Sequence, residues 1–515
     1  MKRIALCQLP GMDLRAPSQG IAVLKAIAQS KGVDAKCFDL NIAVWNDLVD
    51  HGYGYLWADW SIEFAYALLD DKKFHSIQDT KYDEETKNTL LEKIYYHLEK
   101  VITDYKPTVI GFSLFSIVQE HTARILIKYM KEMHPNIEII IGGPALRHYH
   151  EESLPTDILE MVDHYFIGDA EQSFVKYLDN VLYFGGLNNT NVNMNFDRNG
   201  WPPPDYRDFQ FGIYPKDWRN PSVRSSNEGT IYLTGSKGCV RACEFCDVHK
   251  IWPKFHQKEV DTVMRDIKSI REYYEFRNIF FTDSLINGNN KFIKQLSERI
   301  IEEFGEKPFS WSGQWICKSK NSFTEEYFAI AAKAGLNQII VGIESGSEKV
   351  RWEMNKKFYN EDIQFTLEMC RKYNILFIPL MICGYPTETD DDFNQTLELA
   401  DKFIEYKDVV RPTCINMMML LPGTNVTIDH EKYKIADITY AEVDAGYTPL
   451  DQSWSCNDNT YAKRIERFYQ YQYKIKKAGM GLGHVKRKTL KRDYLQLVDI
   501  PDSEILEMID FVHST

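Results

Sequence analysis

The sequence predicts an α/β protein: an N-terminal doubly wound parallel sheet, then a partial (β/α)6 barrel, then a mainly helical C-terminal extension. Three observations predict it. Residues 1–185 alternate short apolar runs with helical patterns, residues 231–425 do so again, and residues 186–230 between them are rich in Asn, Pro and Gly and read as a linker. Short apolar runs bounded by Pro and Gly read as buried strands, and strands that alternate with helices imply parallel sheets.

In the first part, residues 2–7 form a buried-type strand. Residues 19–31 carry helical apolar spacing (Ile21, Leu24, Ile27, Ala28), and Gly32 closes the helix as a C-cap. Residues 35–40 form a second strand, and residues 41–105, polar and aromatic, read as a helical insertion. Strands at 108–115 and 137–141 flank a helix at 119–133; a fifth strand at 163–167 precedes a helix at 172–182. Such sheets bind ligands outside the carboxyl ends of their strands, where strand order reverses. The segments leaving those ends are 10–20, 113–116, Gly142-Gly143-Pro144-Ala145 and Gly168-Asp169-Ala170-Glu171. Their glycines let backbone approach a flat or phosphorylated ligand closely, and serve equally as plain strand-to-helix turns.

In the second part, apolar runs at 231–234, 279–282, 309–313, 338–343, 376–383 and 415–421 alternate with helical patterns, six βα-type units in all. Catalytic groups of such a barrel gather at the carboxyl ends of its strands. The informative residues fall there. A cysteine loop follows the first strand, Asp283 ends the second, Glu344 and Ser345 end the fourth, Gly384 and Glu388 follow the fifth, and Leu421-Pro-Gly-Thr424 ends the sixth.

The loop reads Gly235-Ser-Lys-Gly-Cys239-Val-Arg-Ala-Cys243-Glu-Phe-Cys246. Thiolates at this spacing turn onto one metal centre. A 4Fe–4S cluster normally takes four cysteines, so three leave one iron open to chelate a small molecule. His249, three residues on, offers the alternative of a Cys3His zinc site.

The chain as a whole sets limits. Its 515 residues exceed one core, and 44% hydrophobic with 26% charged residues is ordinary for a soluble globular protein. A net charge of −13 gives no bulk attraction to nucleic acid. Ten cysteines, scattered outside the loop, suit a reducing compartment and predict a cytoplasmic protein. The start, Met1-Lys-Arg-Ile-Ala-Leu-Cys7, is too short an apolar run for a signal peptide, and no stretch approaches a membrane span.

The loop, with Phe245 at its aromatic position, resembles the C-x3-C-x-aromatic-C loop of radical SAM enzymes, and the barrel segments match that pattern in order. The resemblance implies that Cys239, Cys243 and Cys246 ligate a 4Fe–4S cluster. Its open iron binds S-adenosylmethionine (SAM), whose reductive cleavage releases a 5′-deoxyadenosyl radical. It implies that Phe245 packs near the adenine and that Asp283 holds the SAM amino group, where an N-cap is the structural alternative. Glu344, with Ser345, resembles the ribose- or methionine-contacting strand, or is a buried structural carboxylate. Gly384 and Glu388 shape the adenine pocket or form a turn and cap. In Trp315-Ile-Cys-Lys318 the family's arginine is missing, so Lys318 departs from the pattern.

The first part resembles the flavodoxin-like cobalamin-binding domain that precedes the radical domain in the cobalamin-dependent (class B type) members. The similarity lies in Ile110-Gly-Phe-Ser113, Ile141-Gly-Gly-Pro144 and Asp163 with Gly168-Asp-Ala-Glu171; Pro202-Pro-Pro-Asp-Tyr-Arg-Asp-Phe209 resembles their connector. It implies cobalamin near Pro10, Ser113, Gly142, Gly143, Pro144, Gly168 and Glu171. The Asp-x-His-x-x-Gly motif that supplies an axial histidine elsewhere is absent, and His148 and His150 follow the Gly-Gly-Pro turn as loop histidines. The implied activity is methylation of an unactivated carbon. The alternatives are a non-methylating rearrangement or cyclisation, with or without cobalamin, and a metal-stabilised binding protein without catalysis. A methylthiotransferase needs three more cluster cysteines upstream, where Cys7 and Cys37 stand alone. The class implies a flavodoxin or ferredoxin reductant and a small-molecule or peptide substrate whose identity is not legible.

Among the other cysteines, Cys317 and Cys370 read as core, and Cys383 and Cys414 are candidates to line the cavity. In the tail, residues 464–477 form an amphipathic helix with Phe468, Tyr471 and Ile475 on one face, expected over the barrel mouth or at a dimer interface. Lys486-Arg487-Lys488 with Lys491-Arg492 is the dense basic run, read as a solvated face rather than a phosphate or RNA contact.

Overall fold

The computed structural model describes residues 2–54 (13 excepted), 84–115, 119–147, 156–179, 201–214, 229–481 (413, 414, 422, 444, 445 and 458 excepted), 488–498 and 501–513. His148, His150, Cys414 and the start of the basic run at 486 lie outside them.

Strands β1 (Arg3–Gln8), β2 (Asp34–Asp39), β3 (Val109–Ser113), β4 (Glu138–Gly142) and β5 (His164–Phe166) form one parallel sheet in the order β2-β1-β3-β4-β5. That order reverses between β1 and β3, so the ligand crevice of this sheet lies at their carboxyl ends. The expected strands lie within one or two residues of these positions. Of the insertion, helices Leu40–Asp50 and Glu84–Tyr105 are described, and they pack on each other through Trp45, Leu48, Leu90 and Ile94.

The second sheet contains β6 (Thr230–Leu233), β9 (Asn278–Phe281), β10 (Ser310–Trp315), β11 (Leu336–Glu344), β12 (Leu376–Cys383) and β13 (Ile415–Met417), every neighbouring pair parallel and in chain order. This is the six-unit open barrel. Between β6 and β9, the short β7 (Ser236–Lys237) and β8 (His256–Gln257) pair antiparallel and close the neck of the cysteine loop.

One apolar core runs through both sheets. Ile21 and Ile27 of helix Gln19–Ser30 pack in the same cluster as Ile231 and Leu233 of β6, with Tyr206, Phe209 and Phe211 between them. The described residues of the connector, 201–214, are therefore packed rather than loose. Tyr206 donates to the Tyr232 carbonyl at 2.6 Å, and buried Lys25 meets Asp208 at 2.7 Å and Asp205 at 3.3 Å.

The extension is mainly helical, as expected, and adds one pair of strands that the sequence pattern does not predict. An antiparallel hairpin, β14 (Ile435–Val443) with β15 (Gly446–Cys456), stands between β13 and helix Tyr461–Lys477. Its base is held by Trp454, which donates to the Met418 carbonyl at 3.3 Å, and by Ile435 and Cys456 in a cluster with Tyr385 and Leu420. Helix Tyr461–Lys477 does not cap the mouth. It lies parallel to helix Asp390–Glu405, because Arg467 pairs with Asp390 at one end and Lys474 with Asp401 at the other. Its apolar face (Ile465, Phe468, Tyr471, Ile475) joins the barrel core, so it acts as the sixth barrel helix. Among the described residues no helix is long and apolar enough to cross a membrane.

Candidate active site

The cysteine loop leaves β6 and is pinned at its neck: Gln257 Nε2 and the Lys258 N–H both donate to the Gly235 carbonyl at 2.8 Å. Gly238 (φ +79°) turns the chain inward, and a side chain there would strike the Lys254 carbonyl at 2.6 Å. Cys239, Cys243 and Cys246 are half-buried to buried, and none is in a disulfide. Burial pushes all three thiols up, Cys243 to about 11 and Cys246 to about 12. Uncompensated thiolates are thus disfavoured, and a metal centre supplies the missing compensation. The Arg241 N–H already points at the Cys239 sulfur, 3.4 Å away. Among the described residues no three ligating side chains gather around one ion, and both ring nitrogens of His249 are buried without a hydrogen-bond partner. A cuboidal cluster takes each thiolate on its own iron, and three cysteines in one loop leave its fourth iron open.

Around the loop, the structure places the expected residues at the barrel mouth. Phe245 packs on the cluster of Tyr385, Met354 and Met418. Asp283 is fully buried. One oxygen accepts the Gly235 N–H at 2.9 Å and the other the Ser236 hydroxyl, so the carboxylate braces the start of the cysteine loop. Burial pushes it up to about 6, against these hydrogen bonds. Glu344 sits at φ +69° and pairs with Lys356 at 2.7 Å. Ser345 is turned into the protein, accepting the Ser347 N–H at 3.2 Å. Glu388 accepts the Gly384 N–H at 2.7 Å and meets Arg467 at 2.9 Å, both partners of that ion pair buried. Gly384 (φ +82°) abuts Arg464, whose Cδ lies 2.2 Å from where a β-carbon would stand. Lys318, at the exit of β10, is pushed down to about 8 by burial and then by Arg241. Cys383 is core, its thiol 3.7 Å from the Arg464 carbonyl.

Sequence reasoning missed three residues here. Lys356 and Arg467 act through partners distant in the chain, and no local pattern marks them. Lys237 stands in the quoted loop, yet its role appears only with the first sheet: it meets Asp169 at 2.9 Å and Glu171 at 3.3 Å. Trp252 Nε1 reaches Asp169 as well, at 3.2 Å. Glu171 is thereby committed to the cysteine loop.

At the carboxyl edge of the first sheet, Pro10 follows β1 and the Gly11 and Met12 N–H groups donate to Asn41 Oδ1 at 3.0 and 3.1 Å. Ser113 ends β3, and Gly142, Gly143 and Pro144 leave β4; the Leu114 N–H donates to the Gly142 carbonyl at 2.8 Å and the Ala145 N–H to the Leu114 carbonyl at 3.1 Å. Gly168 (φ +90°) leaves β5. Gln8 Oε1, at the β1 terminus beside the crevice, is buried with no hydrogen-bond partner among the described residues.

Residues 233–400 match the family model of the radical SAM superfamily. That stretch, about a third of the chain, is a radical SAM domain by this match. Its cofactors are accordingly a 4Fe–4S cluster and SAM, and the three cysteines open the matched segment. Relatives are distant. A Pyrococcus horikoshii protein named as an uncharacterized methyltransferase is 21% identical over 60% of this chain and 67% of its own length. Cytidylyl-2-hydroxyethylphosphonate methyltransferase of Streptomyces wedmorensis is 22% identical over 59% of this chain and 64% of its own. The chain thus spans about two thirds of the length of these relatives. Among solved structures, the cobalamin-dependent SAM radical enzyme OxsB with aqua-cobalamin bound covers 99% of this chain and 75% of its own at a TM-score of 0.58 and 14% identity. The radical SAM methyltransferase TsrM of Kitasatospora setae, with tryptophan and a SAM analogue, covers 84% of this chain and 76% of its own at a TM-score of 0.54 and 14% identity. The two-sheet fold is therefore that of cobalamin-dependent radical SAM enzymes.

Proposed function

We propose that the chain is a cobalamin-dependent radical SAM methyltransferase acting on an unactivated carbon. The observation that carries this reading is the salt bridge from Lys237 to Asp169 and Glu171, which sets the carboxyl edge of the first sheet against the neck of the cysteine loop at the barrel mouth. When bound, the cluster with SAM supplies a 5′-deoxyadenosyl radical, and cobalamin supplies a methyl group.

The chain's own residues hold and shield. Cys239, Cys243 and Cys246 would hold the cluster; Phe245, Asp283, Glu344, Ser345, Gly384 and Glu388 would shape the SAM side. Of these, Phe245 lies within the cysteine loop and Glu344 acts electrostatically on Cys243, whereas Asp283, Ser345 and Glu388 are engaged in hydrogen bonds within the protein. Pro10, Ser113, the Gly142–Gly143–Pro144 turn and Gly168 would cradle cobalamin, and the Gln8 amide oxygen suits a ligand rich in amide donors. Glu171 supports that edge through Lys237. Radical chemistry needs water kept out and the reacting carbons held in line. The hairpin β14–β15, inserted where the sixth strand reaches the mouth, supports a role in shielding and substrate choice.

Methylthiotransferases also appear among the relatives; one from Methanocaldococcus jannaschii, so named provisionally, is 23% identical over 60% of this chain. That activity is disfavoured, since Cys7 and Cys37, the cysteines upstream of the loop, are buried in the first sheet. The test is anaerobic incubation of reconstituted protein with SAM, cobalamin, reductant and candidate small-molecule or peptide substrates, followed by mass spectrometry. Both 5′-deoxyadenosine and S-adenosylhomocysteine indicate methyl transfer. The first alone indicates rearrangement or cyclisation. Zinc-loaded protein with neither product overturns the reading. A low-potential carrier of the flavodoxin or ferredoxin kind is the proposed electron source.

A further inference from the structure

Lys356 is a buried cation beside the cysteine loop, and the backbone around it is left-handed at three residues. It is about nine-tenths buried, as is Glu344, whose carboxylate lies 2.7 Å from the ammonium. The same ammonium donates to the Gly342 carbonyl at 2.6 Å and lies 5.9 Å from the centre of the Phe245 ring. Gly342 makes the space: a β-carbon there would stand 2.5 Å from Glu344 Oε1 and 2.7 Å from Lys356 Nζ.

Three residues around the pair adopt the left-handed conformation that L side chains rarely take: Glu344 at φ +69°, Asn355 at +63° and Lys357 at +53°. Backbone in such regions persists where the surroundings overdetermine it, and it concentrates at functional sites. Here the surroundings are the cysteine loop itself. Asn355 Nδ2 donates to the Ala242 carbonyl at 2.7 Å, the Glu244 N–H donates to the Met354 carbonyl at 3.1 Å, and Arg241 donates to the Lys357 carbonyl at 3.3 Å. The segment 354–357 is thus laced to residues 241–244, and Lys356 points inward between them.

A buried ion pair is rarely retained for stability, because desolvating two charges offsets much of their attraction. The pair here stands beside three thiols that become anionic when they bind a cluster. Burial alone lowers the lysine's affinity for its proton, yet Glu344 and then the thiols outweigh that and hold it charged.

We propose that Lys356 is a positioning residue that aims the Glu344 carboxylate into the mouth and, by its buried positive charge, makes the bound cluster easier to reduce by one electron. The inference rests on the radical SAM reading. The electron comes from an external reductant and, in the absence of SAM, rests on the cluster; no proton of the pair is transferred. A positive charge in a low-dielectric site stabilises the more negative, reduced cluster, and removing Glu344 unmasks that charge.

The test uses the full chain, reconstituted anaerobically, with iron and sulfide content, a dithionite titration followed by electron paramagnetic resonance, and equilibrium SAM binding. At the potential where half of the wild-type clusters are reduced, Lys356→Met is expected to lower the reduced-to-oxidised ratio at least tenfold, equivalent to 59 mV for one electron. Glu344→Gln is expected to raise the ratio, and Lys356→Arg to return it to within about threefold of wild type. Both Lys356→Met and Glu344→Gln are expected to weaken SAM binding. Opposite signs for the two potential shifts separate an electrostatic role from a structural one, which would move both variants the same way. An unchanged ratio in Lys356→Met, or shifts of one sign, overturns the proposal. Should Lys356→Met fail to take up iron, Glu344→Gln decides: an increase supports the proposal, and no change or a decrease overturns it. A wild-type chain that takes up no iron overturns the radical SAM reading first, and this inference with it.

Discussion

Lys237 Nζ lies 2.9 Å from the Asp169 carboxylate, and this contact joins the neck of the cysteine loop to the exit of the last strand in the first sheet. The two residues belong to different halves of the chain. Glu171, 3.3 Å away, adds a second carboxylate to the same ammonium. Since the three side chains are about one-fifth exposed, the contact is screened only in part.

Lys237→Met removes the ammonium that Asp169 and Glu171 share. Full burial would make such a loss cost about 3–5 kcal/mol, and partial exposure reduces the expectation to about 1–2 kcal/mol. A urea titration followed by tryptophan fluorescence checks this, since Trp252 donates to Asp169. The midpoint should fall, and Lys237→Arg should recover most of it. An unshifted midpoint in the methionine variant means that the halves are held by their shared core alone.

Asp283 makes stability depend on pH. Burial raises its pKa from 3.8 to about 6, so the folded chain binds a proton there that the unfolded chain has already released. The stabilisation is complete below about pH 4 and is lost as pH rises through about 6, with a slope of at most about 1.4 kcal/mol per pH unit. Across denaturant midpoints at pH 4, 5, 6 and 7, wild type should lose stability relative to Asp283→Asn as pH rises through that window, and the two should run parallel above it. Asp39 is raised to about 6 as well, so the difference between the two proteins, not the wild-type curve, carries the test.

Glu388 and Arg467 are buried together at 2.9 Å, with side chains no more than 4% exposed. Arg467→Met strands a carboxylate in the core and should cost about 3–5 kcal/mol, whereas a double change to Met at both positions should recover most of that loss. A double-mutant cycle of unfolding midpoints checks the coupling. If the double variant is no more stable than Arg467→Met, the packing of the arginine stem, not its charge, holds helix Tyr461–Lys477 against the barrel.

Much of this architecture is legible in the sequence, and the boundary between what is and is not has a physical origin. The run 376–383 is apolar and lies between Asn374 and Gly384, and it is β12 from end to end. The cysteine spacing is local, so its chemistry reads directly. The hairpin β14–β15 is not legible in the same way, because charged residues such as Asp437, Glu442 and Asp451 interrupt its alternation and its base is buried by Met418 and Leu420 from elsewhere. Asp283 reads as a strand-end carboxylate. That Gly235 and Ser236 satisfy it depends on two strands meeting 47 and 48 residues apart in the chain. Lys356 has no local signal at all, since its meaning comes from Glu344 and the thiols.

Gly143 and Gly142 separate fold from ligand at the first sheet. Gly143 stands at φ +123°, and a β-carbon there would lie 2.2 Å from the Leu114 carbonyl oxygen, which the Ala145 N–H uses. Gly143→Ala should therefore destabilise by about 2–3 kcal/mol or more, whether or not a ligand is present. At Gly142 the nearest atom to such a carbon is 3.4 Å away, in the Phe166 side chain, and the backbone is not left-handed. Gly142→Ala should leave the unfolding midpoint of the cobalamin-free protein within about 0.5 kcal/mol of wild type. A corrin seated against this edge needs the bare backbone, so the same variant should retain cobalamin at least tenfold more weakly in an equilibrium binding titration, with iron content unchanged. If Gly142→Ala binds cobalamin as wild type does, the ligand does not lie against the β4 exit, and the cradle has to be sought at the ends of β1 and β3.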